Sequence, residues 1–413
     1  MSASRPRVLL VCHSASRNGA SIVLLELLRW LRSRVDWEID VLMHGRGPLL
    51  ADFASLAKTV VWRDPTPVLD AVLRGPARRI RPLVDKVLSR FQLPNKRYDL
   101  VYANTIAAAA TAVPLARGAK SVLWHIHELT YALRLTLPAA QLDAALALPT
   151  RIVAASDAVK RALNHEFGVA IDRIDVVDSF TALRAGPLQQ RERQRQRVRA
   201  ALNWPADAFV VGGCGSLGWR KGTDLFLQLA QILRRRTGAQ EVRLLWVGGQ
   251  PGSRDWLEFE HDRSRLGLDD CCAIVSSTAG VDDYYAAMDA FALTSREEPL
   301  GLVALEAAEC GLPVVCFQGS GGAEDFVRND AGISVPYLDV SAFADALLHL
   351  RADPAMRSRM ASVGRARVDA GYRVDTQAPK LLRAMQDCLA QHPHAAGTGE
   401  PPAADSLATP HAR

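Results

Sequence analysis

The chain opens with the apolar segment Val8-Leu-Leu-Val-Cys12, a helical stretch at residues 21–31 and a second apolar segment, Ile39-Asp-Val-Leu-Met43. Short runs rich in β-branched residues, separated by helix-length segments, continue this alternation and recur from residue 209 onward. Such alternation is typical of parallel strands joined by helical crossovers, with helices on both faces of the sheet. The sequence therefore predicts an α/β fold of doubly wound parallel sheets.

A break in the alternation predicts two domains. Residues 186–203 lose the strand pattern and become polar and arginine-rich, and we interpret them as a linker with helical propensity. Residues 1–185 and 204–390 are each predicted to form a Rossmann-like domain, and residues 391–413 lack apolar periodicity and are predicted to be a disordered tail. Two such domains leave a cleft where the carboxyl ends of both sets of strands converge on one ligand.

Composition excludes several classes of protein. The 413 residues are 49% hydrophobic and 23% charged, which rules out a single small module and wholesale disorder. No apolar run approaches the roughly 20 residues that cross a bilayer, and the apolar start is too short for a secretory signal. The seven cysteines form no Cys-x-x-Cys pair and several lie in apolar runs. We therefore expect a cytoplasmic protein whose thiols are reduced.

The glycine-rich loop after the predicted strand at 209–212 contains a literal Gly-x-Gly-x-x-Gly from Gly213. A dinucleotide fingerprint would run straight into a helix and end the next strand with an acidic residue, and neither feature is present. The loop fits a diphosphate cradle better, because its backbone N–H groups can approach phosphate oxygens while Arg220 and Lys221 neutralise charge. The alternative is an ordinary turn with two solvated cations.

The strongest signal lies in residues 295–315. Glu298 precedes a helix predicted to begin near Gly301, and the free N–H groups of Gly301, Leu302 and Val303 form an anion site. Glu306 follows roughly 7 Å further along the helix axis, about the offset from a phosphate to its ribose. A carboxylate there can accept hydrogen bonds from both hydroxyls of a diol. The alternative is that Glu298 caps the helix and Glu306 is solvated.

Glu298 and Glu306 have seven residues between them, and Cys310-Gly-Leu-Pro-Val-Val315 and Gly319-Ser-Gly-Gly-Ala-Glu324 follow. This pattern resembles the Glu-x7-Glu signature of the retaining GT-B glycosyltransferases of family 4. Further segments also resemble that family, in this order along the chain: Asn18-Gly-Ala20, 98–105, His125-Ile-His-Glu128, 154–159, 209–223 and 244–249. The resemblance implies two Rossmann-like domains, an acceptor-side N-terminal one and a nucleotide-sugar-binding C-terminal one.

The resemblance also implies roles for the C-terminal residues. Lys221 would bind the diphosphate of a nucleotide-sugar donor, Glu306 its ribose, and Glu298 the transferred sugar. The backbone amides of Gly301, Leu302 and Val303 would grip phosphate and sugar. Family members often carry an arginine five residues before the lysine, where Ser216 stands here, so Arg220 is expected to supply that charge.

On the N-terminal side, the resemblance places His127 near the reacting sugar and Gly19 in a glycine loop that faces the cleft. The usual glycine pair of that loop is Asn18-Gly19 here. Two other interpretations of His127 stay open, a core histidine with satisfied hydrogen bonds and, with His125, a metal ligand. Because no third ligand is placed nearby and no Asp-x-Asp triplet occurs, we expect neither a metal nor another cofactor.

Residues 74–97 contain eight basic residues and one acid on a helical pattern. Such a face can lie on anionic lipid, which suits a lipid-linked acceptor, or it is a plain solvated helix. A nucleic-acid partner is not expected, since aromatic residues are not interleaved with the basic ones.

The sequence thus predicts a retaining, metal-independent glycosyltransferase that moves a sugar from a nucleotide-diphosphate sugar to a hydroxyl of a glycan or lipid-linked acceptor. The alternatives are a nucleotide-sugar epimerase or hydrolase on the same fold and a non-catalytic sugar-nucleotide-binding protein. The donor base, the sugar, the acceptor and the oligomeric state depend on loop shapes that residue patterns do not determine.

Overall fold

The structure is a computed structural model that describes residues 5–61, 97–116, 118–238 and 241–391. Within these ranges two parallel sheets form, one of seven strands in the order β3-β2-β1-β4-β5-β6-β7 and one of six in the order β10-β9-β8-β11-β12-β13. The prediction of two Rossmann-like, doubly wound domains is therefore confirmed. The predicted tail beyond residue 391 and residues 74–96 lie outside the described residues.

The strands follow the predicted alternation. They are β1 (Arg7–Cys12), β2 (Glu38–Met43), β3 (Lys58–Val61), β4 (Leu100–Asn104), β5 (Ser121–Ile126), β6 (Arg151–Ala154), β7 (Ile174–Val176), β8 (Phe209–Cys214), β9 (Val242–Val247), β10 (Cys272–Val275), β11 (Ala290–Leu293), β12 (Val314–Phe317) and β13 (Gly332–Val335).

Helices cover both sheets. They are α1 (Gly19–Arg32), α2 (Leu50–Leu56), α3 (Ala109–Ala116), α4 (Thr130–Thr136), α5 (Ala139–Ala147), α6 (Asp157–Phe167), α7 (Leu188–Ala201), α8 (Thr223–Thr237), α9 (Arg254–Arg265), α10 (Val281–Ala287), α11 (Leu302–Glu309), α12 (Gly322–Val327), α13 (Val340–Ala352), α14 (Pro354–Gly371) and α15 (Val374–Ala390). Over the described ranges, none of them is long and apolar enough to span a membrane.

Burial on both faces explains why the strands read as continuous apolar runs. In β1, Val8 and Leu10 join one apolar cluster and Leu9 and Val11 join the cluster on the opposite face. Strand order reverses between β1 and β4 in the first sheet and between β8 and β11 in the second. In doubly wound sheets ligands bind beyond the carboxyl ends of the strands at such points.

The stretch interpreted as a linker is largely a helix, α7, that belongs to the C-terminal domain. Its Arg199 is almost fully buried and donates hydrogen bonds to the carbonyl oxygen of Ala287 at 2.8 Å and to Asp289 at 2.7 Å. Arg195 pairs with the same aspartate at 2.8 Å. Arginines in this stretch therefore bind the helix to the C-terminal domain, which their polarity in the sequence did not indicate.

The last helix, α15, crosses back to the N-terminal domain. The sequence analysis placed it within residues 204–390, but its apolar residues Leu381, Met385 and Cys388 join the cluster under the first sheet. Ser121 also donates a hydrogen bond to the carbonyl oxygen of Cys388 at 2.7 Å. Apolar residues at helical spacing give α15 an apolar face that must pack against another element. Here that element is the first sheet.

Candidate functional site

The residues predicted to bind the donor's diphosphate and sugar lie together at the carboxyl edge of the second sheet. Strands β8 and β11 are parallel neighbours, with Phe291 opposite Gly212. The loop after β8 leads to the turn Trp219–Lys221, and the loop after β11 carries Glu298 into α11. Because neighbouring parallel strands end at the same edge, these two loops emerge side by side.

An ion pair that is largely shielded from solvent joins the two loops. The Lys221 ammonium donates a hydrogen bond to Oε2 of Glu298, and Ser295 Oγ donates to the same oxygen at 3.1 Å. Nη1 of Arg220 lies 3.9 Å from it. Burial by itself would raise the pKa of Glu298, but the charges of Lys221 and Arg220 hold that pKa below its ordinary value. Glu298 is therefore ionised, with two cations beside it.

The Glu298 backbone is held by the glycine segment that follows β12. Its N–H donates to the carbonyl oxygen of Ser320 at 2.7 Å, and the N–H of Gly322 donates to the Glu298 carbonyl oxygen at 3.1 Å. Gly321 has φ +136°, and a Cβ there would lie 1.9 Å from the Glu298 carbonyl oxygen. This segment follows the Glu-x7-Glu pattern in the sequence, and its glycine lets the two loops approach this closely.

Helix α11 begins beside the ion pair and faces the other domain. Gly301, with φ +81°, precedes the helix, and no side chain of the described residues caps the first N–H groups. A Cβ on Gly301 would lie 2.9 Å from Cγ of Glu298, so these N–H groups start next to the carboxylate. Across the cleft, the position of a Cβ on Gly19 is 3.4 Å from Cδ1 of Leu302. The beginnings of α1 and α11 therefore oppose each other.

Glu306 lies further along α11, where Tyr285 donates its phenol hydrogen to Oε2 at 3.1 Å. Burial raises the pKa of Glu306 to about 7. This environment does not agree with the alternative of a freely solvated glutamate. Tyr285 itself is fully buried, and its neighbours in the sequence, Asp283, Tyr284 and Ala286, gave no signal that it contacts the site.

His127 lies on the N-terminal wall of the cleft, just beyond β5. Its Nε2 is 3.0 Å from Oδ1 of Asn104, whose amide nitrogen donates to the carbonyl oxygen of Ala20 at 3.0 Å. That second bond orients the amide, so Nε2 carries the hydrogen and Nδ1 is an acceptor. Burial, and then the neighbouring His13, lower the pKa of His127 to about 3, so the ring is neutral.

Glu128 supports His127, a role that the sequence did not indicate. Its buried carboxylate accepts hydrogen bonds from the backbone N–H groups of His127 at 2.9 Å and of Ile106 at 3.2 Å. It therefore fixes the backbone at His127. The rings of His125 and His127 are tilted by 40° with centroids 4.0 Å apart, and Nδ1 of His125 lies 2.6 Å from the hydroxyl oxygen of Tyr102. In the part of the chain that the structure describes, no three His, Cys, Asp or Glu residues gather as a metal-binding group.

Two family models match the chain. One, described as Glycosyltransferase Family 4, matches residues 17–180, and the other, described as Glycosyl transferases group 1, matches residues 208–353. The first range contains Gly19 and His127. The second contains Lys221 and both glutamates of the signature.

Curated relatives carry glycosyltransferase names. The D-inositol 3-phosphate glycosyltransferase of Xylanimonas cellulosilytica is 33% identical over 233 residues, which cover 52% of this chain and 54% of that protein. The D-inositol 3-phosphate glycosyltransferase 1 of Catenulispora acidiphila is 27% identical over 363 residues, which cover 82% and 83%. The chain thus spans about half the length of the first relative and most of the second.

Among solved structures, the crystal structure of Anabaena HepE in complex with UDP and glucose is similar over nearly the whole chain. The TM-score is 0.72 at 22% sequence identity, and the match covers 92% of this chain and 99% of that one. At this identity the likeness shows a common fold.

Proposed function

Since the chain belongs to the GT-B glycosyltransferases of family 4, we propose that it transfers a sugar from a nucleoside diphosphate sugar to a hydroxyl group of a glycan or lipid-linked acceptor. The observation that carries the proposal is the largely shielded ion pair of Lys221 and Glu298 beside the free start of α11. This arrangement places cations and N–H dipoles next to an ionised carboxylate, which suits a ligand with a diphosphate at one end and sugar hydroxyls at the other.

The barrier to transfer is departure of the nucleoside diphosphate, on which negative charge develops. Lys221, Arg220 and the N–H groups of Leu302 and Val303 stabilise that charge because they are fixed before the reaction begins. Glu298 accepts hydrogen bonds from hydroxyls of the transferred sugar. From the facing domain, neutral His127 presents Nδ1 as a further acceptor.

We also propose that transfer retains the anomeric configuration and requires no metal ion. Hydrogen bonds from Lys221 and Ser295 to Oε2 hold the Glu298 carboxylate in place and leave Oε1 for the sugar hydroxyls, so the group orients the sugar and is poorly placed to attack it. Attack then comes from the acceptor on the face that the diphosphate leaves. The bond from the anomeric carbon to phosphate breaks, the bond to the acceptor oxygen forms, and the acceptor's proton passes to the leaving phosphate.

Uridine nucleotides are the first donors to test. One similar Anabaena structure contains UDP and glucose, and another contains UDP-glucose. The purified chain would be incubated with nucleotide sugars of each base, with and without hydroxyl acceptors, and in EDTA. We expect donor consumption only when an acceptor is present, and no effect of EDTA. Rapid consumption without acceptor would indicate an epimerase or hydrolase, and binding without consumption a non-catalytic protein.

Donor binding is expected to be linked to a proton through Glu306. With a pKa of about 7 in the free protein, Glu306 is largely protonated at about pH 6, whereas ribose hydroxyls that donate to it favour the ionised form. Binding should therefore release a proton at about pH 6 and strengthen towards about pH 8. Calorimetry in buffers of different ionisation enthalpy measures this proton release. The ligand should be a nucleotide sugar, because the terminal phosphate of a free nucleoside diphosphate titrates in the same pH range.

The control is Glu306→Gln, which keeps the shape of the side chain and cannot titrate. It should bind the donor more weakly, with no proton release over this range. Equal proton release from the wild type and Glu306→Gln would contradict the assignment.

We further propose that the protein acts in the cytoplasm and contacts the membrane face through residues 74–97, whose excess of seven positive charges supports attraction to anionic lipid. The full chain should sediment with anionic vesicles and remain in solution with zwitterionic ones. Replacing Arg74, Arg78, Arg79, Arg81 and Arg90 with glutamine should abolish sedimentation. Unchanged partitioning of that variant would refute the contact.

A further inference from the structure

Glu297, directly before Glu298, reaches across the cleft. Its two carboxylate oxygens accept hydrogen bonds from the backbone N–H groups of Tyr131 at 2.8 Å and Ala132 at 3.1 Å, at the start of α4 in the other domain. A carboxylate that receives two N–H groups at the start of a helix makes charge-assisted hydrogen bonds, which are stronger than neutral ones.

An aromatic contact accompanies this bond. The ring of Tyr131 lies 4.8 Å from the ring of Trp219, centroid to centroid, although both side chains are largely exposed. Trp219 is held from its own domain by Arg296, whose guanidinium carbon is 4.9 Å from the ring centroid. Arg296 in turn is fixed by two hydrogen bonds to Asp224 of 2.7 and 2.8 Å. We call Glu297, Tyr131 and Trp219 the interdomain clasp.

The clasp is connected to the charges of the site. The carbonyl oxygen of Glu297 accepts a hydrogen bond from Nη1 of Arg220 at 2.8 Å, the same nitrogen that lies 3.9 Å from Glu298. On the other side of Glu298, Ser156 of the N-terminal domain donates to the carbonyl oxygen of Pro299 at 2.6 Å. Glu298 is therefore flanked on both sides by contacts that cross the cleft.

The clasp also holds the opposite wall. Tyr131 is only four residues beyond His127, whose backbone is anchored to Glu128. Movement of α4 relative to Glu297 would therefore change the distance between His127 and Glu298. These two residues belong to different domains, so their separation depends on the contacts that hold the domains together.

We propose that Glu297 is a positioning residue whose carboxylate, through the clasp, holds the two domains at the separation that transfer requires. The inference rests on the proposed function for its catalytic consequence. The contacts assigned above to the donor's diphosphate and ribose, through Lys221, Arg220 and Glu306, all lie in one domain, and only His127 contacts the sugar from the other. Loss of the clasp should therefore leave donor binding almost intact and slow the step that needs both domains.

The test compares Glu297→Ala, Glu297→Gln and Arg161→Ala in the full chain. Glu297→Ala should lower kcat by about 10-fold to 100-fold, the size expected for a displacement of about 1 Å, with donor affinity within about twofold of wild type. Glu297→Gln retains one acceptor oxygen and should recover part of kcat. Arg161→Ala removes a different interdomain pair, with Asp325 at 3.1 Å on the exposed surface, and should leave kcat unchanged.

Small-angle X-ray scattering supplies a readout that does not depend on turnover. Glu297→Ala should have a larger radius of gyration than the wild type and Arg161→Ala, because the domains separate. Unchanged kcat and unchanged scattering in Glu297→Ala would overturn the clasp, and so would a loss of donor affinity as large as the loss of kcat. If the wild type transfers no sugar, the proposed function fails, and scattering alone supports or overturns the clasp.

Discussion

Lys221→Met is expected to lower kcat for sugar transfer by about 10²-fold to 10³-fold, the effect of removing one fixed charge-stabilising donor from an active site. Methionine keeps the length of the side chain and removes the ammonium that pairs with Glu298. Arg220, at 3.9 Å from the same carboxylate, remains and accounts for residual turnover. Steady-state kinetics with saturating donor measures the loss.

The control separates catalysis from stability. Breaking a buried ion pair by removing one partner costs about 3–5 kcal/mol, because the other charge is left buried. The side chains of Lys221 and Glu298 are 12% and 7% exposed, so each single variant should unfold at lower denaturant concentration. The double variant Lys221→Met with Glu298→Gln removes both charges and should regain stability without regaining turnover. If turnover returned together with stability, the pair would serve only the fold.

Gly321→Ala is expected to lower the free energy of unfolding by about 2–5 kcal/mol and to reduce turnover strongly. The new Cβ would lie 1.9 Å from the Glu298 carbonyl oxygen and 2.9 Å from Cδ1 of Leu129, and the backbone has φ +136°. The Glu298 backbone must move to relieve the contact, and the carboxylate moves with it. Denaturant unfolding and kcat, measured on the same preparation, record the two effects.

Gly319→Ala is the matched control, two residues away in the same loop. Gly319 also has a positive φ, +66°, but among the described residues a Cβ there meets no atom within 4 Å beyond its own chain neighbours. Gly319→Ala should lower the free energy of unfolding by only about 1–2 kcal/mol, the cost of a positive φ for a residue with a Cβ. Turnover should stay near that of the wild type. Equal losses in the two variants would show that the close approach to Glu298 has no special consequence.

Local patterns predicted the α/β class because strands buried on both faces must be apolar along their whole length. The same patterns predicted a linker with helical propensity at residues 186–203 and gave no sign that its helix is held by Arg195 and Arg199. They bind Asp289, which lies 94 and 90 residues further along the chain. Polarity of a residue does not reveal whether a distant carboxylate will neutralise it.

The sequence by itself determined the alternation of strands and helices, the two domains and the residue types that suit a nucleotide-sugar site. These features depend on neighbours within a few residues, where backbone preference and apolar spacing act. Only the tertiary structure decided that Lys221 meets Glu298 across 77 residues and that Glu297 meets Tyr131 across 166. Such contacts depend on strand order and on how two domains face each other, and these follow from packing the whole chain.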